Sequence, residues 1–261
     1  MPTISLSGRT YFYEDRGAGM PLLLFHGFPF SGESFWPQLE RPPKGVRLLV
    51  PDHRGFGRSE LAPGIATMES MAEDGLALLD ALGIQSALVG GVSMGGYVAI
   101  ALTRLDPGRV RGLLLIDTQS LPDDEAGRAK REATAQDVEK NGVAGVVSGL
   151  LPRLMSAGVE PSIKARVEQM MRAQSPQAVA AASRGMAARL DGKDILSRFS
   201  GPCSIVVGSE DVITPLEKAK VMQDLVGGST IDVIAGAGHL TNLERPAEFA
   251  TIVERLVESL P

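Results

Sequence analysis

Short apolar runs recur along the chain, separated by stretches in which apolar residues repeat at helical spacing. Leu22–Phe25, Leu48–Val50, Ala87–Val89, Leu113–Ile116, Ser204–Val207 and Ile231–Ile234 are each too short for a helix and continuously apolar or nearly so, which predicts buried strands. Thr3–Ser7 and Thr10–Asp15 predict a hairpin turning at Gly8-Arg9. Met68, Met71, Leu78, Leu79 and Leu82 share one helical face, and so do Phe249, Ile252, Val253, Leu256 and Val257. Strands alternating with helices predict a mostly parallel sheet with helices on both faces, the opening hairpin adding an antiparallel edge. In such a sheet, function is expected beyond the carboxyl ends of the strands.

The pattern changes between Asp117 and about Ile195, where strand signals vanish. Val143, Val146, Val147, Leu150, Leu151 and Leu154 form one apolar helical face, and Ile163, Val167, Met170 and Met171 form another. Gln177 to Leu190 is alanine-rich and helical, and Pro152, Pro161 and Pro176 punctuate the segments. The expected organisation is an α/β core of residues 1–118 and 194–261 with a helical cap, 119–193, laid over its catalytic edge. Most of these apolar residues pack cap on core. Leu150, Leu154, Met170 and Met171, with Leu240 from the core, are expected to line a substrate cavity whose Met and Leu walls suit apolar, adaptable binding.

The chain has 261 residues, enough for one large α/β domain, and 44% hydrophobic residues support a well-buried core. A net charge of −5 and the lack of a basic stripe argue against a nucleic-acid partner. The single cysteine, Cys203, cannot form an internal disulfide and sits in a strand-like run as a buried packer. The first residues lack a basic segment followed by an apolar one, and no apolar run approaches the ~20 residues that span a membrane. The expected location is therefore cytoplasmic, with no membrane partner; oligomeric state is not legible.

Candidate chemistry begins at Gly91-Val92-Ser93-Met94-Gly95, which directly follows the run Ser86–Gly90 and directly precedes a helix-like stretch from Tyr97 to Leu105. This is a G-x-S-x-G nucleophile elbow in its strand–turn–helix context. Glycines let the turn hold the serine in a strained conformation that lifts Oγ clear of the sheet. The following helix points its N-terminus at developing negative charge.

A serine nucleophile needs a base, and the base an orienting acid. Of the three histidines, His26, His53 and His239, the last lies in the glycine-rich Ala235–Leu240 loop after the Thr230–Ile234 strand. It is the expected base. Asp211, between the Val206-Val207 strand and a helix with Pro215 in its first turn, is the expected acid; its neighbour Glu210 and Asp117, at the end of the next strand after the nucleophile strand, are rivals. The oxyanion hole needs two N–H donors. Met94, after the nucleophile, and Phe28, in the His26-Gly27-Phe28-Pro29 loop after the Leu22–Phe25 strand, are expected to supply them. His26 is expected to be a packed structural residue. No paired histidine spacing or nucleotide-binding loop occurs, so neither metal nor cofactor is expected.

His26-Gly27-Phe28-Pro29, Asp52-His53-Arg54-Gly55-Phe56-Gly57-Arg58-Ser59, Gly91–Gly96 and Gly236-Ala237-Gly238-His239 together resemble the α/β-hydrolase superfamily, over residues 3–117 and about 195–260. Within it the chain is similar to small bacterial carboxylesterases, enol-lactone hydrolases and cofactor-free haloperoxidase-like enzymes. The resemblance implies an α/β-hydrolase fold and a serine hydrolase with Ser93, Asp211 and His239 as triad. It makes Asp52–Ser59 a structural signature, with His53, Arg54 and Arg58 stabilising a turn. Haloalkane dehalogenases carry an aspartate where this chain has Ser93. Small to medium, uncharged esters are the expected substrates, because no basic cluster accompanies the motifs; Arg153 and Arg172 are the candidate anchors should a substrate carry a carboxylate. Lactonase, perhydrolase and C–C bond hydrolase activities share the triad, and a small-molecule sensor that retains it is the reading from a different class.

Overall fold

The computed structural model describes residues 3–6 and 8–260; Ser7, the expected end of the first hairpin strand, lies outside them. Eight strands form one sheet: β1 (Thr3–Leu6), β2 (Arg9–Gly17), β3 (Met20–Phe25), β4 (Val46–Pro51), β5 (Ala87–Val92), β6 (Val110–Ile116), β7 (Cys203–Gly208) and β8 (Thr230–Ile234). Their order is β1-β2-β4-β3-β5-β6-β7-β8. β1 and β2 are antiparallel, β2 runs antiparallel to β4, and the remaining pairs are parallel. Each apolar run of the sequence lies inside a strand.

The alternation of side chains along each strand sorts the core into two layers. Leu23, Phe25, Leu49, Val89, Leu113 and Leu115 pack on one face of the sheet; Leu22, Leu24, Leu48, Val50, Leu114 and Ile116 pack on the other. Residues of both sets are almost fully buried, as parallel strands covered on both faces require. The helices that cover them are α1 (Trp36–Glu40), α2 (Met68–Ala81), α3 (Met94–Leu105), α4 (Glu125–Asn141), α5 (Ala144–Leu154), α6 (Pro161–Arg172), α7 (Pro176–Ala187), α8 (Lys193–Arg198), α9 (Leu216–Leu225), α10 (Thr241–Glu244) and α11 (Pro246–Glu258). α2 buries Met68, Met71, Leu78 and Leu79 against the first face, and α11 buries Phe249, Ile252, Val253 and Leu256 against the second.

Helices α4 to α8 stand between β6 and β7. α4 was not marked by apolar periodicity, because it buries only Ala135 and Val138. It is bounded instead by Asp124, which accepts from Gly127 N at 2.7 Å, and by Gly142 at φ 75°. It is held to α7 by Arg184, which pairs with Glu132 and Glu139, and by Ser183 Oγ donating to Arg131 O at 2.8 Å. Of the three punctuating prolines, Pro161 and Pro176 open α6 and α7, whereas Pro152 lies inside α5. It sits two residues before the last, Leu154, so the carbonyl it leaves unbonded is in the first half of an 11-residue helix. Pro215 caps α9 from outside its first turn. Among the described residues no helix is long and apolar enough to cross a membrane.

Candidate active site

Four strand ends and two loops converge at the carboxyl edge of the sheet. β5 ends in the elbow, and Ser93 has φ 54° and ψ −113°, a region that costs a non-glycine residue about 1–3 kcal/mol. The turn is possible because its glycines admit backbone where a side chain could not stand: a Cβ on Gly91 would lie 2.3 Å from Gly95 C, and one on Gly95 would lie 2.1 Å from Phe25 O. Ser93 N donates to Ile116 O at 2.9 Å and Ser93 O accepts from Thr118 Oγ1 at 2.7 Å, which ties the strained turn to the end of β6. The Ser93 side chain is only half-buried, at the amino end of α3.

The rival acids separate by contact. Asp211 Oδ2 stands 2.8 Å from His239 Nδ1 and accepts from Thr214 Oγ1 at 2.7 Å; its Oδ1 accepts from Ile213 N at 2.8 Å and Thr214 N at 3.0 Å. Burial opposes its charge, but the bonds from His239 and Thr214 prevail and hold the carboxyl below its ordinary range. Glu210 is exposed. Asp117 is fully buried nearby, but its oxygens are occupied: Oδ1 accepts from Gly208 N at 3.0 Å, and Oδ2 from Thr241 N at 3.1 Å and Thr241 Oγ1 at 2.7 Å. Asp117 thus ties the end of β6 to the end of β7 and to the histidine loop. Burial, opposed by His239 and reinforced by the charge of Asp211, pushes it up to about 7.

The backbone N–H groups of Phe28 and Met94 donate to no acceptor among the described residues. The loops that carry them are in contact: a Cβ on Gly27 would lie 3.2 Å from Val92 O. His26 has both ring nitrogens engaged, Nδ1 with Gly27 O at 2.9 Å and Nε2 accepting from His53 N at 3.0 Å. Burial pushes it down to about 4, so it is neutral and part of the scaffold. The Asp52–Ser59 turn is built around Asp52, which accepts from Gly32 N and Arg58 N, while Arg54 pairs with Asp74 at 2.7 Å.

A cavity of about 540 Å³ opens beside these loops, lined by the apolar Phe28, Val146, Leu150 and Ile213 and by the charged Asp123, Lys130, Arg131, Asp137 and Arg153; Arg131 is paired with Asp123 at 3.1 Å. Of the five residues expected to line a pocket, Leu150 lies here. Leu154 and Met171 are instead packed in the core layer beneath, because the inserted helices turn their best-covered faces onto the sheet edge, and Leu240 of the histidine loop is buried in the same layer. Met170 faces a separate cavity of about 490 Å³ between β2, α1 and α6. Arg153 reaches the first cavity; Arg172 pairs with Glu168 on the outer face of α6. Lys130, Arg131 and Asp137 were not foreseen in this lining, since they come from the polar helix α4.

Sequence reasoning also missed Thr214, Thr241 and Glu244. Glu244 ends a Thr-x-x-Glu segment that reads as a helix-capping box. In the structure its carboxylate is buried and accepts from Gly238 N at 2.8 Å and from Ser156 N at 3.0 Å. Among the described residues, no group of three or more His, Cys, Asp or Glu could hold a metal ion.

The family model for the alpha/beta hydrolase fold matches residues 20–246. The chain is 29% identical to 3-oxoadipate enol-lactonase 1 of Acinetobacter baylyi over 244 residues, covering 92% of this chain and 90% of that one. It is 28% identical to a 2-hydroxymuconate semialdehyde hydrolase of a Pseudomonas species, covering 92% and 87%. Among solved structures it is similar to a thermophilic esterase from Thermogutta terrifontis, crystallised with malate, at 35% identity and a TM-score of 0.95, covering 98% of this chain and 97% of that one. Matched by the family model across most of its length, on a sheet whose strand ends carry the elbow and the histidine loop, the chain belongs to the alpha/beta hydrolase fold family.

Proposed function

We propose that this hydrolase cleaves carboxylic esters through an acyl-enzyme on Ser93. The observation that carries the reading is the 2.8 Å contact between His239 Nδ1 and Asp211 Oδ2, at the same sheet edge as a serine held at positive φ. Asp211 fixes the proton on Nδ1, leaving Nε2 free to take the proton of Ser93 as Oγ attacks the ester carbonyl. The unpaired N–H groups of Met94 and Phe28 receive the developing oxyanion. His239 then protonates the departing alkoxide and activates the water that releases the acyl group.

Phe28, Val146, Leu150 and Ile213 offer apolar contact to a small or medium substrate under the helical cap. A second reading, hydrolysis of a carboxylate-bearing lactone or ester, is favoured by Lys130 and Arg153 in the lining of the same cavity and by the similarity to an enol-lactonase. The test is a series of p-nitrophenyl esters of rising chain length run beside simple lactones. kcat/KM should rise about threefold to fourfold per methylene until the cavity fills, and Ser93→Ala should lower it by about 10⁴ or more. Tight binding without turnover would replace the enzyme by a sensor; full turnover by Ser93→Ala would end the serine mechanism.

A further inference from the structure

The histidine loop is held by a carboxylate that belongs neither to the triad nor to the oxyanion hole. Glu244 is buried, and its carboxyl oxygens accept from three donors on two different segments. Oε1 accepts from Gly238 N at 2.8 Å, the residue before His239. Oε2 accepts from Ser156 N at 3.0 Å and from the Ser156 hydroxyl, two residues beyond the end of α5. His239 N itself donates to Leu154 O, the last residue of α5, at 2.9 Å. The two segments touch: a Cβ on Gly238 would lie 2.8 Å from Met155 Cα. The backbone on the amino-terminal side of the imidazole is therefore referenced to the inserted helices. Asp117 holds the other side, through Thr241.

From this bridge we infer that Glu244 is a positioning residue, which keeps His239 in register with Asp211 only while the end of α5 is seated on the core. The inference rests on His239 being the base. A buried carboxylate is costly unless its donors are in place. If α5 lifts, Leu154 O leaves His239 N, and the carboxylate that holds Gly238 loses the two Ser156 donors at the same time. The position of the inserted helices and the geometry of the base are thereby one coupled element, so substrate that seats α5 also sets the histidine.

Glutamine cannot replace this carboxylate. Gly238 N and Ser156 N approach opposite oxygens, so whichever way an amide turns, its NH₂ meets an N–H. The test compares Glu244→Gln, Glu244→Ala and Ser156→Ala in the full chain, with thermal unfolding as the check on folding. Glu244→Gln should lower kcat about 100-fold with KM within about threefold, the size expected when a catalytic group is displaced by about an ångström. It should also weaken the low-field NMR resonance of the Nδ1 proton shared by His239 and Asp211, a signal read without turnover and so independent of which substrate the enzyme takes. In a His239→Ala background the same change should cost nothing further. Ser156→Ala, which keeps the Gly238 bond, should lower kcat about fivefold to tenfold. If the Glu244 variants do not fold, wild-type kcat in Ser156→Ala overturns the proposal. So does a folded Glu244→Gln with kcat within twofold of wild type and the resonance intact, or an equal loss in the His239→Ala background.

Discussion

Replacing Asp211 by asparagine changes one atom, and the structure dictates which way the new amide must face. Oδ1 receives two backbone N–H groups, Ile213 N at 2.8 Å and Thr214 N at 3.0 Å, and neither can turn. The amide oxygen must keep that place. The NH₂ then falls on the Oδ2 side, 2.8 Å from His239 Nδ1, where it donates instead of accepting. The imidazole is driven to the tautomer with its proton on Nε2, which in the proposed mechanism is the nitrogen that accepts from Ser93, and the positive charge of that mechanism's transition state loses its partner. The equivalent change in a serine protease triad lowers kcat by ~10⁴, about 5.4 kcal/mol of barrier, and the same order is expected here. The assay is p-nitrophenyl ester hydrolysis at neutral pH, with thermal unfolding to show that the fold survives. Asp117→Asn serves as the comparison. Its amide also meets a donor, but its partners are Gly208 and Thr241 rather than the imidazole, so its loss in kcat should be at least about 100-fold smaller. A folded Asp211→Asn enzyme within about tenfold of wild type, or a larger loss from Asp117→Asn, would refute the assignment of the acid.

The charged lining of the cavity predicts a specific charge preference: Arg153→Ala should lower kcat/KM for dicarboxylate mono-esters about fivefold or more while leaving neutral esters of equal length within about twofold, and the difference should shrink in high salt. Equal effects on both substrates would remove Arg153 from recognition and leave the apolar reading alone. Asp117 predicts a stability signature. Its carboxyl is raised in the folded state to about 7 from an ordinary 3.8, so its contribution is fully present below about pH 4 and is lost as pH rises through 7. The stability of wild type relative to Asp117→Asn, measured by denaturant unfolding, should therefore fall by up to about 4 kcal/mol between pH 4 and pH 8. A difference that stays flat across that range would show that Asp117 is not held protonated by burial.

What the sequence determined by itself was set by short-range physics. Strands with alternating faces, the apolar stripes of α2 and α11, and the G-x-S-x-G pattern of the elbow are all read from residues within a few positions of one another. Those features were legible at Leu22–Phe25, Met68–Leu79 and Gly91–Gly95, and they placed Ser93, Asp211 and His239 at one sheet edge. The choices that remained open depend on contacts between residues far apart in the chain. Asp117, Glu210 and Asp211 all follow strands that end at that edge, and only the path of the β7–α9 loop brings Asp211 to His239, 28 residues away. α4 lacks an apolar stripe because one side of it meets solvent and another contributes to the charged lining of the cavity, so periodicity had nothing to detect. Leu154 and Met171 lie, like Leu150, on apolar faces of the inserted helices, and only the seating of those helices decides which of them faces the cavity. Glu244 reads locally as the end of a capping box. Its role comes from Ser156, 88 residues earlier, and a buried carboxylate takes its meaning from the donors that the tertiary fold brings to it.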